Sequence, residues 1–240
     1  MMRNAGNFST MYPASAFVFV ALIVSFLPAP LAFGGNPPPS KAFDLASWKL
    51  QIPGPKEVKD LREYSSDYFY LNDEHNMCFK LNAAEKGPTQ NTKYVRSELR
   101  HLLDWKLEDK HAIEGEFRVI SHLTPDKVTA LQIHGITEQG ENAPPFLRIA
   151  INHGDLYAIL KSANAGDKTE SDLLKRGVGS SFVKVGVQIT GGQLIVTVDG
   201  QEKLKKDVTY WKFSNYFKAG CYPQATEGTV LVEFRKLKVE

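Results

Sequence analysis

The sequence predicts an all-β fold, and three observations carry that reading. From residue 43 onward, apolar and polar residues alternate over short runs, the period of a strand. Gly191-Gly192 and Asp199-Gly200 each separate two alternating runs, as a two-residue hairpin turn does. No stretch sustains the spacing of an amphipathic helix. Many short strands punctuated by Gly, Pro and Asn imply a sandwich, a barrel or a jelly roll.

The elements follow in order. Residues 1–40 hold a single charged residue, Arg3, followed by an apolar run of 14 residues from Ala14 to Leu27 and then Pro28, Pro30, Ala32, Gly34 and Gly35. A basic start, a short apolar stretch and a small-residue exit describe a secretory signal peptide over 1–34. The run is short for a bilayer span, which sets the alternative, an uncleaved anchor, second. Residues 35–42, with Pro37-Pro38-Pro39, read as an exposed leader, and 43–240 as one domain. Within it, strands are predicted at 48–52, 69–71, 77–81, 94–101, 113–121, 129–134, 147–152, 156–160, 183–190, 193–198, 216–222 and 229–239, each a run rich in β-branched or aromatic residues bounded by turn formers. Two polar, Gly-bearing stretches, 137–145 and 161–181, read as long loops able to cover a cleft. Trp48, Trp105 and Trp211 are assigned to the core.

Composition narrows the function. A net charge of +2, with cations and acids interspersed, gives no basic tail or block for nucleic acid. Among six histidines none forms a zinc-spaced pair, and two cysteines are too few for a thiolate cage, so no metal is expected. Secretion permits Cys78 and Cys221 to pair, and two buried free thiols are the equal alternative. There is no Gly-x-Ser-x-Gly elbow. Glu98, Glu114 and Glu116 lie on predicted strands, which leaves a paired-carboxylate glycosidase open on residue type. Glu98, however, sits between two arginines, which favours its ionised form and makes it a brace rather than a general acid.

Three segments hold the remaining polar groups. Arg96, Glu98 and Arg100 share one strand face, with Ser97 and Leu99 behind; Gln132 and His134 share another, with Leu131 and Ile133 behind; Tyr216, Lys218, Tyr222 and Gln224 share a third, with Phe217, Ala219 and Cys221 behind. Side by side, they present Arg, Gln, His, Lys and Tyr to an acidic, hydroxyl-rich ligand. Such a set suits β-elimination on a uronic acid polymer. Arg and Gln donors stabilise the carboxylate-centred anion formed when the proton on carbon 5 leaves. His or Tyr moves the protons, and no cofactor is needed. Bland readings compete: an ion-pair ladder for Arg96, Glu98 and Arg100, a structural histidine at 134, and aromatic sheet residues at Tyr216 and Tyr222. Tyr216 is left structural.

At these residues the chain resembles the alginate lyases of polysaccharide lyase family 7, through Arg96-Ser97-Glu98-Leu99-Arg100, Gln132-Ile133-His134 and Tyr216-Phe217-Lys218-Ala219-Gly220-Cys221-Tyr222-Pro223-Gln224, with an opening strand from Phe43 to Pro53. The resemblance implies a jelly roll of two antiparallel sheets with a concave substrate groove. Together with the signal peptide it implies a secreted, extracellular lyase acting on alginate as a monomer, with no membrane contact once the signal peptide is removed. It places Arg96 and Gln132 on the substrate carboxylate, His134 as base or carboxylate neutraliser, and Tyr222 as acid, and as base too for mannuronate. Glu98, Arg100, Lys218 and Gln224 are assigned to substrate binding. Pro223 suggests a bulge or a sheet edge. The alternatives are a non-catalytic jelly-roll binding module or lectin, and a lyase for another polyuronate such as glucuronan.

Overall fold

The structure, a computed structural model, describes residue 1 and residues 35–54, 56–85, 93–164 and 168–240. The signal peptide predicted over 1–34 therefore lies outside the described residues, Met1 excepted. Two antiparallel sheets form a sandwich, as expected, from fifteen strands among the described residues. These are β1 (Trp48–Ile52), β2 (Lys56–Val58), β3 (Phe69–Leu71), β4 (Met77–Asn82), β5 (Ser97–His101), β6 (His111–Ser121), β7 (Lys127–Ile136), β8 (Asn142–Asn152), β9 (Asp155–Lys161), β10 (Thr169–Lys175), β11 (Val183–Thr190), β12 (Gln193–Val198), β13 (Gln201–Asp207), β14 (Ser214–Pro223) and β15 (Thr229–Val239). One sheet runs β10-β9-β8-β7-β14-β5-β1-β2 and the other β13-β12-β11-β6-β15-β4-β3.

The core lies between them. Phe79 and Phe234 meet edge to face at 5.7 Å, Phe117 packs on Phe234 at 5.3 Å, and all three rings are fully buried. Burial of each ring contributes ~1.5–3 kcal/mol. Trp48, Trp105 and Trp211 are buried as assigned. Both predicted hairpins form, with positive φ at Gly191, Gly192, Asp199 and Gly200 as that turn geometry requires.

Several expectations are corrected. The stretch 35–42 is mostly exposed and is tied to the domain at two points: the Pro37 carbonyl accepts the Leu71 N–H at 2.8 Å, and Pro39 is buried in a short 3-10 turn. The strand predicted from Tyr94 begins at Ser97, and the predicted loops 137–145 and 161–181 contain the start of β8 and all of β10. Strands β10 and β13 are sheet edges, mostly exposed and rich in Lys, Glu and Asp, so no apolar period marks them. Cys78 and Cys221 are buried free thiols on strands of different sheets. Glu114 and Glu116 point outward from the second sheet, where Glu114 pairs with Lys184 at 2.9 Å and Lys236 at 2.7 Å. They cannot share a site with Glu98 on the first sheet. Strand β14 is central rather than an edge, and its irregularity falls between Ala219 and Tyr222, before Pro223.

Candidate functional site

The three polar segments are neighbours. Strand β14 lies between β7 and β5, with Lys218 opposite Gln132 on one side and Arg100 on the other. Directly opposed residues share a face. Phe217, Ala219, Cys221, Leu131, Ile133 and Leu99 belong to the core, so their alternates Lys218, Gln132, His134, Glu98 and Arg100 stand on the outer face of the first sheet. Gly220 sits at the crossing point opposite Glu98 with φ +146°; a Cβ there would lie 2.5 Å from the Ser97 carbonyl and 2.8 Å from the Glu98 Cα. Only glycine lets β14 approach β5 this closely.

The centre of that face is recessed, and Glu98 is its hub. Its carboxylate, 1 % exposed, accepts from Lys218 Nζ at 2.6 Å and from Gln132 Nε2, and lies 3.5 Å from Arg96 Nη1. Lys218 is equally buried and also donates to Gln51 Oε1 at 2.9 Å. Burial alone raises the Glu98 carboxyl, but the Lys218 and Arg96 cations and the two hydrogen bonds outweigh it and hold it below its ordinary value. Burial lowers the Lys218 ammonium to about 8 against the opposing pull of Glu98. Glu98 and Lys218, assigned from sequence to substrate binding, are placed here as a buried brace beneath the surface, with their charges spent on each other. Gln132 keeps one amide proton beyond the one given to Glu98. Arg96 keeps a buried Nε without a partner among the described residues.

His134 is built into a stack. Its ring lies nearly parallel to Tyr216 at 5.2 Å, and the Arg100 guanidinium also lies over the Tyr216 ring at 4.1 Å. His134 Nδ1 is 3.1 Å from both the Gly135 carbonyl and the Tyr216 hydroxyl oxygen, and Tyr216 donates to Asn142 Oδ1 at 3.2 Å. This network assigns the proton to Nδ1 and leaves Nε2 as a free acceptor. Burial, joined by the Lys218 and Arg96 cations and opposed by the Gly135 carbonyl, lowers the imidazole to about 4. Tyr216, left structural from sequence, is thus the residue that orients His134. Arg100 is turned to Asp104 at 2.8 Å and to the His101 carbonyl at 2.9 Å, away from a free anion-binding role.

Tyr222 stands at the other end of the site. Arg96 lies over its ring at 4.5 Å, and Tyr94 meets it edge-on at 6.2 Å. Burial raises its hydroxyl, with Arg96 opposing, so it is a neutral donor at neutral pH. Arg96, which lies over the Tyr222 ring, is 3.5 Å from Glu98, and Glu98 holds Gln132, two residues before His134 on β7, so one cluster connects the two ends. Gln224 falls past the end of β14, where its amide donates to the Tyr222 carbonyl and accepts from Thr129 Oγ1 at 3.1 Å. Sequence reading missed Arg148, opposite Gln132 on β8. A single cation within the run Phe146–Ile151 was the available signal. Among the described residues, no group of three His, Cys, Asp or Glu side chains is placed to hold a metal. The arrangement pairs a neutral base with a neutral acid across a cationic, amide-bearing floor, a set able to move two protons beside a bound carboxylate.

Known proteins with the same architecture bear on this set. The sequence matches the alginate lyase family over residues 43–240. It is 25 % identical over 240 residues to an alginate lyase of a Photobacterium species, covering 82 % of this chain and 84 % of that one. Among solved structures, a tyrosine-to-phenylalanine variant of the family 7 alginate lyase A1-II′ with bound product superposes with a TM-score of 0.80 at 26 % identity, covering 86 % of this chain and 99 % of that one. An alginate lyase from Pseudomonas aeruginosa shares the fold with a TM-score of 0.74 at 24 % identity, over 82 % and 99 % of the two chains. The two-sheet sandwich is therefore the jelly roll of these enzymes.

Proposed function

We propose roles for the residues from one premise: the chain belongs to polysaccharide lyase family 7, the alginate lyases, and cleaves an acidic polysaccharide, alginate, by β-elimination. Arg96 and Gln132 hold the carboxylate of the reacting uronate. Their donors strengthen as charge moves into that carboxylate when the carbon 5 proton leaves. His134 Nε2 takes this proton. The electron pair left on carbon 5 forms the double bond to carbon 4, the bond from carbon 4 to the glycosidic oxygen breaks, and Tyr222 gives its proton to that oxygen. The products are a 4,5-unsaturated uronate and a chain with a new reducing end.

One observation carries the division of labour. Burial lowers His134 to about 4 and raises Tyr222, so at neutral pH base and acid are both in their working forms. Two separate groups suit guluronate, whose proton and leaving group lie on opposite sides. For mannuronate, with both on the same side, Tyr222 would serve twice after losing its proton, a state its burial opposes. Guluronate-containing chains are therefore the assigned substrate. The signal peptide read over residues 1–34 supports an enzyme working outside the cell.

The test is ultraviolet absorbance of the new conjugated double bond with poly-guluronate, poly-mannuronate, mixed-block alginate and glucuronan. Absorbance rising fastest on guluronate-containing chains supports the reading. Retention of alginate without absorbance change would identify a binding module, and a rate highest on glucuronan a different polyuronate lyase. The same assay reads pH. His134 must be unprotonated to act, so the acid limb of kcat/KM on poly-guluronate is expected near pH 4 rather than near 6.5. The stability contributed by the neutral imidazole is complete above its unfolded value of about 6.5 and is lost as pH falls towards 4. A midpoint at 6.5 in an enzyme still folded there would remove His134 as the buried base.

A further inference from the structure

We infer that Arg148 holds the carboxylate of a second uronate, next along the polymer from the one that reacts, and so sets how tightly the chain is gripped. The inference rests on the lyase reading above. Strand β8 lies beside β7, and Arg148 is directly opposite Gln132 in the register. Its neighbours Leu147 and Ile149 belong to the core, so Arg148 faces outward with Gln132 and Lys218. Adjacent strands lie about 4.8 Å apart, so Arg148 is one strand spacing from Gln132, a residue assigned to the reacting carboxylate. That step is comparable to the advance of a single sugar along a polymer laid across the strands.

The partners of the other cations on this face set Arg148 apart. Arg96 and Lys218 share Glu98, Arg100 has Asp104, and Lys49 has Glu57 at 2.7 Å. Among the described residues Arg148 has no carboxylate within ion-pair distance. It is half-buried, on a strand where Ala150 shares its face, and opposite Ile159 of β9, which is 7 % exposed. Desolvation lowers its guanidinium, the expected direction for a cation stripped of water without a counterion. In the register Tyr222 lies opposite Thr129 of β7 and Thr129 opposite Ala150 of β8, so Arg148 stands two residues along β8 from the row that holds the proton donor. A fork of donors already partly desolvated is repaid when a carboxylate arrives. Alginate carries one carboxylate on every residue, so a bound chain necessarily brings a second anion into this region. Arg148 acts in this scheme on binding and not on the proton transfers.

The experiment compares wild type, Arg148→Gln and Arg148→Lys on poly-guluronate, following kcat, KM and the dependence of kcat/KM on sodium chloride. For Arg148→Gln, KM is expected to rise about ten- to a hundredfold, the worth of one charge-assisted contact, with kcat changed little. The fall of kcat/KM with salt should become shallower, because one ionic contact is gone. Arg148→Lys should fall between, since it keeps the charge and loses the fork. Thermal melting run alongside identifies a variant that does not fold, in which case the lysine variant carries the test. Unchanged KM and unchanged salt dependence in folded variants would overturn the assignment. A wild type without activity on any alginate would instead overturn the lyase reading.

Discussion

Tyr222→Phe is expected to lower kcat on alginate by about 10²–10⁴-fold, the range for a removed general acid, with substrate affinity nearly unchanged. The substitution deletes one oxygen and keeps the ring. Arg96 still lies over that ring at 4.5 Å, and Tyr94 still meets it edge-on, so the carboxylate-binding donors are not displaced. The loss therefore belongs to the proton alone, and calorimetric titration with an alginate oligosaccharide should give a Kd within a few-fold of wild type. A companion variant, His134→Gln, separates the two proton transfers. It should impair poly-guluronate more than poly-mannuronate, because only the former requires a base distinct from Tyr222. Tyr222→Phe should impair both. A Tyr222→Phe enzyme that retains most of its rate would show that the leaving oxygen receives its proton from another group. Equal losses in His134→Gln on the two block types would show that the two substrates share one base.

Much of this site was legible because sheet geometry turns sequence parity into sidedness. The alternation in Arg96–Arg100, Gln132–His134 and Tyr216–Tyr222 placed each polar residue on the outer face, and the structure agrees at each. Parity gives the side of a sheet, however, and not the depth. Glu98 was read both as a brace for an arginine, which its place beside Arg96 matches, and with Lys218 as a group facing a ligand, yet the two lie buried at the centre of an eight-stranded sheet. Tyr216 was read as packing because its partnership with His134 depends on register between strands 82 positions apart in sequence. Arg148 escaped notice because one cation among Phe146, Leu147, Ile149 and Ile151 resembles a lapse in an apolar run. The edge strands β10 and β13 were lost for a different reason. With few contacts to bury, they carry charge where central strands carry Val and Ile, and their pattern is that of a loop.

The buried brace yields the second large effect. Glu98→Gln is expected to destabilise the fold by about 3–5 kcal/mol, the usual cost of stranding one member of a buried ion pair. The Lys218 ammonium would be left with Gln51 and a neutral amide, in a position only 1 % exposed. Removing both charges together, in Glu98→Gln with Lys218→Met, should restore most of that stability, because neither desolvated ion remains. Activity should behave differently. Glu98 is the acceptor that fixes the Gln132 amide and the carboxylate that faces Arg96, and both are assigned to the substrate carboxylate. In the double variant the two donors lose their common anchor, so kcat/KM should stay low while the urea midpoint recovers. That divergence distinguishes a positioning role from a structural one, since a purely structural pair would return activity and stability together. Recovery of both in the double variant would show that Gln132 and Arg96 are held by their own strands, and that the charge beneath them serves folding alone.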